Sequence, residues 1–358
     1  MTPYQGLNPY TAADWLSRLL GEHLDAAGLG RRETLYECVY TEDEMSLRRY
    51  MPQRAFEGPI LLIVPAPIKG AYIWDAAPSI SVVQRLIEGD CRVYLVEWAR
   101  PDSYSRALGL DDYADRSLLK CLDVVQAETG ERSVFLAGHS LGGTFAALYA
   151  ALHPQRVKGL VLIGTPLHFG THVGPLDRLV AASPRAQVMT AAMDAVPGSL
   201  LDVLASVAAP GSFVWFRWMD WLNSLSAPEV LRSYLIVARW ILDEVPLARR
   251  LFEEVVEFLY RENRFMDGCL EIGGQKAAPD QVVAPLLTVP DKHCNVVPPE
   301  AVLPFHRAAR SADKTLLWYP GDVGVALRHV GALVGRNAHR VLWPQIIRWI
   351  HAHHRTAA

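Results

Sequence analysis

Continuous apolar runs alternate with amphipathic stretches along much of this chain. ILLIVPAP (60–67), CRVYLVEWA (91–99), FLAGH (135–139) and GLVLIGTP (159–166) are apolar segments of strand length. Such runs predict strands buried on both faces of a sheet. Between them, SVVQRLIEG (81–89), LDDYADRSLLKCLDVVQAETG (110–130) and GTFAALYAALHP (143–154) have helical patterns. Strands alternating with helices predict right-handed crossovers and a mainly parallel sheet with helices on both faces. TLYECVYTEDEMSLRRYMP (34–52) alternates in part and predicts two short strands at a sheet edge. Residues 1–30 predict a helical lead-in, with Thr11 as its candidate N-cap.

The rhythm breaks after Thr165-Pro166. From 167 to 268 there is no clear buried strand. MTAAMDAVPGSLLDVLASVAAP and FVWFRWMDWLNSL are apolar and aromatic, and LIVARWILDEVPLARRLFEEVVEFLYREN is long and amphipathic. This predicts a helical cap inserted into the sheet domain. Alternation returns in VVAPLLTVP (282–290) and TLLWYPG (315–321), and RVLWPQIIRWIHAHH closes the chain as a helix. The expected organisation is a lead-in over 1–33, a core over 34–166 and 282–358, and a cap over 167–281.

Composition narrows the classes. The 358 residues are 51% hydrophobic and carry a net charge of −3. With no basic excess, a nucleic-acid partner is not expected. The five cysteines (Cys38, Cys91, Cys121, Cys269, Cys294) are odd in number and form no C-x-x-C, so neither a disulfide framework nor a metal site is expected. The first residues lack a basic segment followed by an apolar run, and no stretch of about 18 uncharged apolar residues occurs. The expectation is a soluble, cytoplasmic protein with no transmembrane segment.

FLAGHSLGGTFAA (135–147) holds the candidate chemistry. Gly138-His139-Ser140-Leu141-Gly142 is a G-x-S-x-G pattern with a strand on its left and a small-residue helix on its right. That is the setting of a nucleophile elbow, in which the turn lifts a serine hydroxyl above the sheet. The helix N-terminus favours developing negative charge, and the Leu141 N–H can donate to an oxyanion. A glycine-rich turn with a capping serine would look the same locally. A second oxyanion donor is expected around Ile68, where Ile68, Lys69 and Gly70 have an N–H and Pro65 and Pro67 do not. The serine needs a base, which in this architecture comes from a histidine after the last strand. His329 lies there. His339, ten residues on, reads as a helix-start residue, His153 as the end of the elbow helix, and His351, His353 and His354 as a solvated tail. His168 and His172 follow a strand and could face the site.

At this point the residues resemble a family, the polyhydroxyalkanoate synthases, in particular the short catalytic subunit that works with a second subunit. The resemblance runs through VYLVEWARPD (93–102), LGLDDYAD (108–115), GGTFAALYAALHPQRVKGLVLIGTPLHF (142–169), VPGSLL (196–201), ARWILDEVP (238–246), FLYRENRFMDGCLEIGGQ (258–275), VVPPEA (296–301), RHVGALVG (328–335) and WPQIIRWI (343–350). It covers residues 35–352. It implies an α/β-hydrolase fold with an inserted helical cap, a hydroxyacyl-CoA thioester as substrate, no cofactor, transfer of the acyl group to a hydroxyl acceptor, and a setting at a polyester granule surface. A second synthase subunit or a homo-oligomer is the implied protein partner.

Three positions depart from that family. Ser140 stands where it has a nucleophilic cysteine, Cys294-Asn295 where it has an Asp-His pair, and His168 where it has an aspartate after the Thr-Pro turn. An acyl-serine is an oxyester and is harder to displace than a thioester, which brings hydrolysis or a single transfer into view. The triad acid is then open: Asp291, three residues before Cys294, is one candidate and Asp322 another, while Asp291 also reads as a solvated loop residue beside Lys292. The tryptophans of the cap, Trp215, Trp218 and Trp221, either pack within it, line an acyl channel with His168, or touch a lipid-like polymer surface. Three functions remain: a synthase-type acyltransferase, a serine esterase, thioesterase or single-turn acyltransferase, and a catalytically weak partner or scaffold subunit.

Overall fold

The computed structural model describes residues 9–50, 58–101 and 107–355. Eight strands form one sheet: β1 (Tyr36–Glu42), β2 (Met45–Tyr50), β3 (Ile60–Val64), β4 (Arg92–Trp98), β5 (Val134–His139), β6 (Val157–Ile163), β7 (Leu286–Val289) and β8 (Lys314–Leu316). Their spatial order is β1-β2-β4-β3-β5-β6-β7-β8. β2 pairs antiparallel with both β1 and β4, and every neighbouring pair from β4 to β8 in that order is parallel. This is the expected α/β-hydrolase architecture.

The continuous apolar runs become strands buried on both faces. In β3, Ile60, Leu62 and Val64 enter one core cluster while Leu61 and Ile63 enter the other. Helices α3 (Ser117–Thr129) and α4 (Leu141–Leu152) cover the first face, while α2 (Val82–Glu88) and the closing helix (Trp343–Arg355) cover the second. Prolines 65 and 67 end β3 as expected, because proline cannot continue the hydrogen-bonded ladder. Ser81 caps α2 by accepting from the Gln84 N–H.

The segment between β6 and β7 is mainly helical: α5 (Pro175–Ala182), α6 (Ala186–Thr190), α7 (Gly198–Ala208), α8 (Phe216–Ser224), α9 (Pro228–Ile241) and α10 (Arg249–Glu254). The axes of Gly198–Ala208 and Gly211–Ser224 meet in a bend of 107°. No single helix among the described residues is long and apolar enough to cross a membrane. The N-terminal helix α1 (Pro9–Leu24) packs on α7, where Asp14 accepts from the Ser199 N–H at 2.9 Å.

Three local expectations are corrected. Thr11 lies inside α1 rather than at its cap. The long amphipathic stretch is broken between α9 and α10 around Pro246, which lacks the N–H that a continuous helix needs. Within the segment read as helical, Leu270–Ile272 and Gln275–Ala277 form a hairpin across Gly273-Gly274, both glycines at positive φ. Three-residue strands carry too little alternation to stand out; the Gly-Gly pair was their signal.

Candidate active site

Ser140 sits between the end of β5 and the start of α4, at φ 55° and ψ −134°. A non-glycine residue rarely adopts positive φ, and such strain, about 1–3 kcal/mol, persists only where the surroundings enforce it. They do so here. The Ser140 N–H donates to the Ile163 carbonyl of β6 at 3.1 Å, and the Ser140 carbonyl accepts from Thr144 at 3.1 Å. A Cβ on Gly138 would meet the backbone of Gly143 at 2.5 Å, and one on Gly142 would meet the Val64 carbonyl oxygen at 2.2 Å. Only glycine lets helix and strand approach this closely.

Ser140 opens onto a cavity of about 290 Å³. Leu141, Ile68 and His329 share its lining. Leu141 is the first residue of α4, so its N–H has no partner within the helix. The loop carrying Ile68 faces the elbow, and its Pro65 carbonyl is fixed by the Trp98 indole at 2.8 Å. Apolar side chains of the inserted helices, among them Leu176, Leu204, Phe213 and Phe252, close the rest of the space. Such a chamber suits an acyl chain.

His329 follows β8, in the turn Arg328–Val330. Its Nε2 is buried and has no hydrogen-bond partner among the described residues. Burial, with the neighbouring His139 ring adding to it, holds the imidazole well below its ordinary value. The ring is therefore neutral near pH 7, as a general base must be. Its Nδ1 lies 3.5 Å from Cys294 Sγ. That sulfur also accepts from the Val297 N–H at 3.5 Å, and burial pushes the thiol up to about 11. An uncharged thiol thus stands beside Nδ1, where a Ser-His-acid arrangement would need a carboxylate.

Neither carboxylate considered for that place reaches His329. Asp291 accepts from Arg328 Nε at 2.9 Å and from the His293 N–H at 2.8 Å. It is a buried partner of the residue before the histidine, not a solvated loop group beside Lys292. Asp322 accepts from the Tyr319 hydroxyl at 3.0 Å and from the Asn337 N–H at 2.8 Å, and so holds the following turn.

The channel residues also lie elsewhere. Trp215 and Trp218 are 69% and 62% exposed, and neither they nor Trp221 line the cavity. Trp221 packs edge-on to Trp218, at 5.9 Å between rings. His168 Nδ1 donates to the Glu300 carbonyl at 3.0 Å, outside the cavity. His153 pairs with Asp115 at 2.6 Å, and His339 is buried away from the lining.

Two groups of residues were missed from the sequence. His139, the variable residue before the serine, donates through Nε2 to the His329 carbonyl at 2.8 Å. Its sequence signal was its place inside G-x-S-x-G. Lys69 anchors the Ile68 loop to the inserted helices by donating to Asp202 (3.1 Å), Glu244 (2.8 Å) and the Ile241 carbonyl (2.7 Å). No local spacing signals that junction, because its members are far apart in the chain.

Known proteins resemble the chain at two levels. A family described as alpha/beta hydrolase fold matches residues 59–194. The poly(3-hydroxyalkanoate) polymerase subunit PhaC of Allochromatium vinosum is 30% identical over 344 residues, 93% of this chain and 94% of that protein. The protein of the same name from Thiocystis violacea is 30% identical over 323 residues, 88% of this chain and 87% of the relative. Among solved structures, a Sulfolobus solfataricus protein described as a putative lipase superposes with a TM-score of 0.56 at 14% identity, covering 88% of this chain and 98% of that one. A monoacylglycerol lipase from Paleococcus ferrophilus gives 0.54 at 16% identity, covering 87% and 99%. At these identities the structural likeness speaks for the fold alone.

Proposed function

Because the chain belongs to the family of the poly(3-hydroxyalkanoate) polymerase subunit PhaC, we propose that it transfers hydroxyacyl groups from a thioester, through an acyl-serine, to a hydroxyl acceptor. The observation that carries this reading is the single apolar cavity shared by Ser140, His329, Leu141 and Ile68.

Ser140 Oγ attacks the thioester carbonyl carbon while His329 Nε2 takes the hydroxyl proton. The oxyanion accepts from the N–H groups of Leu141 and Ile68. Collapse breaks the C–S bond, and the departing thiolate takes the proton from His329, leaving free thiol and an acyl-serine ester. A hydroxyl acceptor then attacks that ester, His329 takes its proton, and Ser140 leaves with it. If the acceptor is another hydroxyacyl unit, the product is a polyester; if it is water, the product is a free acid.

A second reading, hydrolysis or a single transfer, is favoured by Ser140 itself. The oxyester it forms is a poorer acyl donor than a thioester, so chain growth is slow relative to a cysteine enzyme. The outward Trp215 and Trp218 fit contact with a polyester surface. A second subunit or a second copy belongs to the same proposal.

The test is incubation with 3-hydroxybutyryl-CoA, following thiol release and intact mass for the wild type and Ser140→Ala. Serine-dependent release with a hydroxyacyl adduct supports acyl transfer, and polymer or free acid among the products separates the two readings. No release, together with no labelling of Ser140 by a serine-reactive phosphonate, would leave a scaffold subunit instead.

A further inference from the structure

We propose that Asp220, carried by cap helix α8, is a positioning residue for His329: its carboxylate fixes the loop that delivers the histidine and so ties the catalytic base to the cap. The inference rests on the reading of Ser140 and His329 as nucleophile and base.

Helix α8 carries polar groups on its inner face. It buries Asp220 and Ser224 beside the partly buried Phe216 and Trp221, and exposes Trp218 and Leu222. A buried carboxylate must be hydrogen-bonded. The partners of Asp220 are backbone amides of one loop: Oδ1 accepts from the Gly324 N–H at 2.9 Å and Oδ2 from the Ala326 N–H at 2.8 Å. No ion pair among the described residues involves it.

That loop needs holding. Gly324 sits at φ 82° and Ala326 at φ 55°, a left-handed conformation that alanine resists. A Cβ on Gly324 would meet Val230 Cγ1 of α9 at 2.6 Å, so the loop is also pressed against the cap. Leu327 lines the cavity and His329 follows two residues later. On the far side, His139 holds the His329 carbonyl. The histidine is thus gripped from the sheet domain by His139 and from the cap by Asp220. A carboxylate suits this task because it offers an acceptor to both amides, whereas an amide offers one acceptor and sets an NH₂ against the other donor.

The experiment compares Ser140 labelling by an alkyl fluorophosphonate in the wild type and Asp220→Asn. In this reaction a P–O bond forms at Oγ, fluoride leaves, and His329 accepts the hydroxyl proton. Thermal unfolding and near-UV circular dichroism establish the folded fraction. The expected result is a 10–100-fold lower maximal labelling rate per folded molecule, with the half-saturating concentration changed less than twofold. Ala326→Gly, which takes positive φ without strain, should restore several-fold of the rate to Asp220→Asn. Should that variant not fold, Ala326→Val strains the loop from its other end and should slow labelling in the same way. Ser224→Ala, which removes from the same buried face a hydroxyl bonded to the Asp220 carbonyl within the helix, should label at the wild-type rate. Folded Asp220→Asn, or folded Ala326→Val, labelling at the wild-type rate would overturn the inference alone. A wild-type protein that does not label at Ser140 ends the nucleophile reading and the inference together.

Discussion

Cys294 Sγ lies 3.5 Å from Nδ1 of His329, with the thiol uncharged. A carboxylate there would accept from Nδ1–H and leave Nε2 as the base. A thiol can donate to Nδ1 instead, which puts the proton on Nε2 and silences it toward Ser140. The contact therefore leaves the tautomer undirected. Cys294→Asp should raise the Ser140 labelling rate about tenfold or more, given what orienting carboxylates contribute in such triads. Cys294→Ala should change it little. Labelling kinetics over a range of probe concentrations check both.

The nucleophile gives a second prediction. Ser140→Cys replaces the oxyester intermediate by a thioester, which passes its acyl group on more readily. With 3-hydroxybutyryl-CoA, the ratio of polymer to free acid should rise at least several-fold. Chromatography of the products reads the ratio, and an unchanged ratio would mean that the acceptor, not the intermediate, sets the outcome.

Acid should weaken the protein through its buried histidines. Burial lowers His139 from 6.5 to about 4. The unfolded chain then binds the proton first, so this contribution is complete above pH 6.5 and is lost as the pH falls toward 4. A shift of that size corresponds to roughly 3 kcal/mol. His139→Gln keeps a donor for the His329 carbonyl but cannot titrate. Denaturant unfolding between pH 4 and 7 should show a shallower loss of stability in that variant. Because His329 is also held neutral, the acid limb of kcat/KM should fall well below pH 6.5.

Lys69 holds two carboxylates at the junction of core and cap. Burial, with Asp202 adding to it, pushes Glu244 up to about 7 in spite of the lysine. Lys69→Met leaves Glu244 buried without its cation and should cost about 3 kcal/mol, as when one partner of a buried pair is removed. Lys69→Met with Glu244→Gln should recover part of the lost Tm.

The cap tryptophans separate surface from chemistry. Trp215→Gln with Trp218→Gln should leave labelling of Ser140 within twofold of wild type, while reducing adsorption to polyester particles several-fold in a pelleting assay. Leu204→Trp, which fills the cavity, should slow reaction with long-chain esters by tenfold or more and with acetyl esters far less.

Much of the core and of the elbow was legible because it is written locally. Four apolar runs became β3 to β6, and G-x-S-x-G with a strand before it gave Ser140 its place. His329 was legible from chain order alone. The acid position was not, since Asp291 and Cys294 share one loop, and only its path decides which faces the histidine. Arg328, adjacent to His329 in sequence, is the group that turns Asp291 away. The tryptophans misled for a different reason. Aromatic residues on a helix normally mark its buried face, and Trp221 does pack against the core, but α8 turns Trp218 outward and buries a carboxylate and a hydroxyl that the loop before His329 and the helix itself satisfy. That demand arises from elements about a hundred residues away.

The sheet has one further consequence, for the order in which the chain folds. Ser140 and the strands on either side of it are complete by Ile163, whereas β7 begins only at Leu286 and His329 follows later still. Contacts across such a sequence separation are slow to form, and during synthesis the N-terminal residues emerge first. A nascent chain therefore holds Ser140 without His329 until the residues beyond β8 have emerged. The last walls of the cavity arrive in the same stage, since Val296, Leu327 and His329 are part of its lining.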